Sequence, residues 1–217
     1  MSAPCVLLLG FEPFAGEAVN PSAEIVRHLE GAMVGAHRVV SAVLPVSFAD
    51  APLRLAEALD RHLPELVIAL GQAGGRADIS LERVAINLID ARIADNSGLQ
   101  PIDVEVLRDG PGAYFSTLPL KAIHARLRQR GVPASLSLSA GCYVCNQVFY
   151  WLGHLLSTEH GHARGGFIHV PWLPEQAARH PGEPGMPLAM MIEGVREAVD
   201  CALHTTIDLD VAGGYTH

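Results

Sequence analysis

The segment Ala140-Gly-Cys-Tyr-Val-Cys-Asn146 has the greatest chemical capacity in the chain. It stands where an extended run gives way to a helical stripe of Val148, Trp151, Leu152, Leu155 and Leu156, and such a junction aims backbone N–H groups at Cys145. A helix N-terminus carries roughly half a positive charge and draws a thiol pKa from ~8.5 toward neutrality. The thiolate is the nucleophile, and the same N–H groups suit the oxyanion of an acyl intermediate. An inert buried cysteine is the competing reading, since free Cys is among the most buried residue types. Two more readings use the same residues: Cys142-x-x-Cys145 as a redox pair, or Cys142, Cys145, His160 and His162 as zinc ligands. Only one residue separates those histidines where 3–5 are usual, and an apolar helix intervenes, so His160 and His162 read as a solvated loop.

A cysteine hydrolase needs a base, and the chain has 11 histidines. His28, His37, His62 and His180 lie in helical or loop contexts beside charges and read as surface residues. His169 differs, lying in the apolar run Gly166-Phe-Ile-His-Val170 just before Pro171, where a strand end would hold it for proton transfer. A hydrogen-bonded core histidine is the alternative. In Ile79-Ser-Leu-Glu-Arg-Val-Ala-Ile-Asn87, Glu82 and Arg83 interrupt apolar residues. A carboxylate there needs a partner, and His169 is a candidate for it to orient; from spacing alone a paired surface Glu is the favoured reading. Gly71-Gln-Ala-Gly-Gly75 follows a strand but matches no phosphate-binding pattern, and the next segment reads as extended, so a tight turn is expected there.

The elements that must position these groups alternate between apolar runs and helical-period segments, the pattern of a layered α/β fold. Strands are expected at 5–9, 38–46, 66–70, 79–89, 134–140 and 167–170. Helices are expected from Asn20-Pro21 to about Glu30, with Asn as cap and Pro in the first turn, and at 50–61, 119–130, 146–156 and 188–203. No repeat or linker divides the 217 residues, which read as one domain, 1–217. Charged residues make up 18% and Lys+Arg 15 against Asp+Glu 23 gives −8, the wrong sign for a nucleic-acid footprint. Four unevenly spaced cysteines fit a reducing compartment, and no apolar run has the length of a membrane span, so a cytoplasmic protein is expected.

Taken together the segments resemble the pyroglutamyl peptidase I (pyrrolidone-carboxylate peptidase) family of cysteine peptidases. The resemblance is carried by Gly10-Phe-Glu-Pro-Phe14 with Asn20-Pro-Ser22, by Gly71 to Asn87 running into Asp90-Ala-Arg-Ile-Ala-Asp-Asn96, by Gly141-Cys-Tyr-Val-Cys-Asn146 and by Gly165-Gly-Phe-Ile-His-Val-Pro171, with Gly112 to Pro119 also similar. It spans essentially the whole chain. It implies a three-layer α/β/α sandwich around a mixed sheet, of the phosphorylase/hydrolase-like kind. It implies Cys145 as nucleophile, His169 as base and Glu82 as third triad member, with Arg92 assisting the Cys145 N–H at the oxyanion. Phe11 and Phe14, with Gln72, Tyr143 and Val144, would form the substrate pocket. The implied substrates are peptides with an N-terminal pyroglutamate, with no metal, cofactor, nucleic acid or membrane, and the implied assembly is a homotetramer. Two positions depart from the family: Ala15 stands where Gly is usual, and Cys142 replaces Thr or Ser, opening the prospect of a reversible Cys142–Cys145 disulfide. A thiol–disulfide oxidoreductase and a non-catalytic binder on the same fold remain the alternatives.

Overall fold

All seven residues from Cys5 to Phe11 are buried, and a run buried on both faces belongs in the middle of a covered sheet. The computed structural model describes residues 4–213. Along the chain it runs β1 (Cys5–Phe11), α1 (Pro21–Leu29), β2 (Met33–Val34), β3 (His37–Leu44), α2 (Ala51–His62), β4 (Leu66–Gln72) and β5 (Ile79–Glu82). It continues through β6 (Val84–Ile86), β7 (Ala113–Phe115), α3 (Leu120–Gln129), β8 (Ala134–Ser137), α4 (Val144–Thr158), β9 (Arg164–Val170), α5 (Pro174–Ala177) and α6 (Leu188–His204).

Seven strands form one mixed sheet in the order β2-β3-β1-β4-β9-β5-β8. β3, β1, β4 and β9 are parallel; β5 runs antiparallel to β9, and β8 follows β5. β6 and β7 form a separate hairpin-like pair. Alternate side chains of each strand face opposite layers. Val6 and Leu8 pack with Ile25 and Val26 of α1, Ile123 of α3 and Met191, Val195 and Val199 of α6. Leu7, Leu9 and Phe167 pack on the other side with Leu55 and Leu59 of α2 and Val148, Phe149 and Leu152 of α4. The result is the expected α/β/α sandwich. Among the described residues no helix is long and apolar enough to cross a membrane.

Local signals account for much of this. Asn20 caps α1 by accepting the Ser22 N–H at 3.1 Å, with Pro21 in the first turn. The apolar stripe of α6 is spent on the core. The expected strand at 79–89 instead breaks at Arg83, its first half joining the main sheet and its second the pair with β7. The strand expected at 134–140 ends at Ser137, and α4 starts at Val144 rather than Asn146, which brings Cys145 into its first turn.

Candidate active site

The reactive groups gather on the α4 face of the sheet. In β4, Gly71 is the register partner of His169 in β9, and register partners present the same face. Gly71 has no side chain, and the sulfur of Cys145 fills the space: a Cβ at Gly71 would stand 2.9 Å from Sγ and 2.9 Å from the Phe167 ring. Phe167, two residues before His169, faces the same way with its ring 4.8 Å from the imidazole. The sulfur is thereby seated over the strand beside His169. Gly71 is a strand residue held open for a neighbouring atom, not part of the turn expected from its sequence, which comes at Gly74-Gly75.

β5 brings the acid from the opposite direction. Glu82 is opposite Phe167 in register, and its Oε1 lies 2.7 Å from Nδ1 of His169. The Glu82 side chain is fully buried and that of His169 is 5% exposed, so a surface Glu is excluded, while His169 is a hydrogen-bonded histidine of the interior, as its alternative reading had it. A carboxylate only accepts, so Nδ1 carries the proton and Nε2 is free to act as base. Burial by itself would push the Glu82 carboxyl up, but the His169 hydrogen bond and charge, with smaller contributions from Ser137 and Arg76, hold it below the usual carboxylate range.

Arg76 carries no signal of its own in the sequence. Its Nη1 donates to Glu82 Oε1 at 2.6 Å and its Nη2 to Ser139 O at 3.0 Å. Its charge nevertheless acts on Glu82 less than His169 does, because 31% of the Arg76 side chain is open to water. Glu82 Oε2 is buried with no hydrogen-bond partner, the nearby Ser137 hydroxyl being turned to Ser139 O at 3.2 Å.

Cys145 is the second residue of α4, and no side chain caps that first turn. Its N–H is thus free of the helix ladder and of any cap, as an oxyanion donor must be. The thiol itself departs from expectation. Part of the side chain stays open, but protein encloses the sulfur closely enough for burial, and then the Glu82 charge, to push it up to about 12 against the pull of Arg76. Burial is the largest of these influences, and it favours the thiol over the thiolate. Cys142 is shifted the same way by burial and by Asp90, and both cysteines are unpaired.

All five expected pocket residues, Phe11, Phe14, Gln72, Tyr143 and Val144, line one cavity with Cys145, joined by Asn20 and Val46. The cavity is tight, ≈ 10 Å³, the room of about one water. Tyr143 lies 6.1 Å from the Phe14 ring and 5.2 Å edge-on from Phe48, while its hydroxyl donates to Ala94 O at 3.0 Å. Ala15 has φ +53°, a left-handed conformation that favours glycine, which accounts for the residue usual there in the family.

A buried glutamine in α5, silent in the sequence, orders the pocket wall. Gln176 Oε1 accepts the Leu173 N–H at 3.0 Å, so its Nε2 must be the donor to Val19 O at 3.1 Å, Glu17 Oε2 at 3.0 Å and Gln72 Oε1 at 3.1 Å. That chain of bonds fixes the amide of Gln72 with its NH₂ free for a ligand. Asn146, next to the cysteine, does similar work for the fold: it accepts the Ile86 N–H and donates to Ile86 O and Leu88 O, pinning α4 to the strand after Glu82.

Not every expected residue joins the cluster. Arg92 is exposed and makes no hydrogen bond or ion pair among the described residues; the segment is tied to the site by the Asp90 N–H donating to Cys142 O at 3.0 Å. His160 is no solvated residue: it is buried, with Nε2 3.4 Å from Asp60, because the chain turns inward after α4. It lies at the far end of that 15-residue helix from Cys145, about 20 Å away, which disposes of a shared zinc site. Among the described residues no group of three His, Cys, Asp or Glu gathers as metal ligands.

A family model described as pyroglutamyl peptidase matches residues 5–205. The chain is 55% identical over 215 residues to a pyrrolidone-carboxylate peptidase of Cupriavidus taiwanensis, covering 99% of this chain and 100% of the relative. It is 54% identical over 212 residues to one of Klebsiella pneumoniae, covering 98% and 99%. Among solved structures, pyroglutamyl peptidase I from Bacillus amyloliquefaciens superposes with a TM-score of 0.94 at 42% identity, over 97% of this chain and 100% of that one. A mutant pyrrolidone carboxyl peptidase from Pyrococcus furiosus gives 0.89 at 44% identity, over 91% and 97%.

Proposed function

The chain belongs to the pyroglutamyl peptidase family, and on that premise we propose how its own side chains carry the reaction. It is a cysteine exopeptidase that hydrolyses the amide bond after an N-terminal pyroglutamyl (5-oxoprolyl) residue. The buried His169–Glu82 contact of 2.7 Å, with the sulfur seated on the neighbouring strand, carries the residue assignment.

Cys145 Sγ attacks the pyroglutamyl carbonyl carbon as His169 Nε2 removes its proton, so a thiol at rest is no obstacle. The Cys145 N–H receives the oxyanion, and Arg92 swings in from solvent to assist it; each such donor typically contributes ~10²–10³ in rate. His169 returns the proton to the departing amine and leaves a thioester. Water, deprotonated by His169, then hydrolyses it and frees pyroglutamate and the thiol. Glu82 holds the imidazole in the required tautomer throughout. The uncharged lactam suits the aromatic and amide lining of Phe11, Phe14, Tyr143, Val144 and Gln72, and the ≈ 10 Å³ cavity means that the Phe14 loop opens to admit it.

The enzyme acts as one catalytic unit over 1–217, in the cytoplasm, and assembles as a homotetramer, readings supported by the family; its net charge of −8 argues against nucleic acid. The test is chromophore release from a pyroglutamyl amide, with the free-amine glutamyl amide as control. Cys145→Ser and His169→Ala abolish release, and Glu82→Gln and Arg92→Ala reduce it. Activity surviving in His169→Ala would remove the triad assignment.

A further inference from the structure

We propose that Arg76 is a positioning residue of the triad: it holds Glu82 as an anion against His169 and ties that acid to the loop that delivers Cys145. The proposal rests on the peptidase reading above. Arg76 and His169 share a single carboxylate oxygen, at 2.6 and 2.7 Å, while the other oxygen of Glu82 is buried and unpartnered. A carboxylate so enclosed takes up a proton unless charge stands beside it.

The groups facing Glu82 are few. β9 contributes His169, β8 the hydroxyl of Ser137, α4 contributes Cys145, and the β4–β5 loop contributes Arg76. Asp78, on the same loop, is occupied with the hydroxyls of Ser80 and Ser135 at 3.3 and 2.9 Å. His169 must be neutral when it acts as base, and Cys145 is neutral or negative. Arg76 alone is a cation at every stage of the cycle. When the imidazole is uncharged, the guanidinium is the one positive charge left beside Glu82, and it joins the Nδ1–H bond in keeping the carboxylate ionised.

The second arm of the guanidinium gives the geometry a purpose. Nη2 donates to Ser139 O, and Ser139 Oγ accepts the Gly141 N–H at 3.2 Å in the loop leading into α4. One planar group thus links the acid on β5 to the approach of the nucleophile. A lysine in its place supplies the charge but only one of the two bonds.

The experiment is the pH profile of kcat/KM for a pyroglutamyl amide with the intact enzyme, in wild type, Arg76→Gln and Arg76→Lys, with thermal melts alongside. Arg76→Gln removes the charge and leaves a neutral amide donor on a shorter stem. Its acid limb moves up by about 0.5–1 pH unit, the low end of what an adjacent guanidinium commands because this one is part-exposed. Its kcat/KM at neutral pH falls about 10-fold, a fraction of the 10²–10⁴ a general base supplies, with KM little changed. Arg76→Lys leaves the limb where wild type has it. An Arg76→Gln profile lowered equally at all pH, or unchanged, overturns the proposal, since a merely structural arginine gives that result. Should Arg76→Gln fail to fold, Arg76→Lys carries the test, and an upward-shifted limb there overturns it. A wild type that releases no pyroglutamate defeats the peptidase reading instead, a result separable from either variant.

Discussion

Cys145 occupies the helix turn that ordinarily acidifies a thiol, yet desolvation and the Glu82 charge dominate there. On the proposed mechanism His169 makes the nucleophile on demand, so thiolate absorbance lost in Cys145→Ser should appear only well above neutral pH in the substrate-free enzyme. A midpoint near neutrality would show a preformed ion pair. Glu82 shifts the other way, below its ordinary 4.5. A depressed folded value means its contribution to stability is complete above that unfolded pKa and is lost as pH falls through the folded one. Urea titrations should therefore show wild type losing stability relative to Glu82→Gln below about pH 4.5. Gly71→Ala isolates seat from fold: the methyl meets Sγ and the Phe167 ring at 2.9 Å, and the expected outcome is a folded protein, destabilised by about 1–3 kcal/mol, with little peptidase activity.

At the scale of elements, the span from Trp172 to His180 straps the pocket loop to the sheet. Trp172 covers Gly74, where a Cβ would lie 2.2 Å from its ring, and stacks on His180 at 3.9 Å; Glu17 is gripped by Gln176, Arg179 and His180. Gln176→Ala frees the Gln72 amide and leaves Glu17 only its Arg179 and His180 contacts, so KM for pyroglutamyl amides should rise with kcat little changed; steady-state kinetics decides it. This strap is not legible in the sequence, because α5 is four residues long and shows no period. β1, α1 and α6 are legible because each carries its own pattern, two-sided burial, a cap or a stripe. The segments of the proposed triad are legible because a cysteine before a buried helix, a histidine in an apolar run and a carboxylate among apolar residues each violate local expectation. Arg76 is hidden in a loop, although a buried carboxylate calls for a cation. Gly71 reads as a turn residue because the atom that requires it belongs to residue 145.

Across the whole molecule the sheet separates two apolar cores, and the chemistry belongs to one of them. Met191 is fully buried in the other, against α1 and α3. Met191→Ala should cost about 2–5 kcal/mol in denaturant unfolding while kcat/KM per folded molecule is preserved. A matching loss of kcat/KM would mean that the cores are coupled through the sheet. The strand order has a temporal meaning as well. β9 is the last strand made, yet it lies between β4 and β5. A chain emerging from the ribosome can form the β3-β1-β4 half early, but the acid has no imidazole to meet and the sheet has a gap until residues 164–170 arrive. The peptidase is therefore chemically silent through most of its own synthesis, and its acid and base first meet when the last strand closes the gap, with α5 and α6 still to pack.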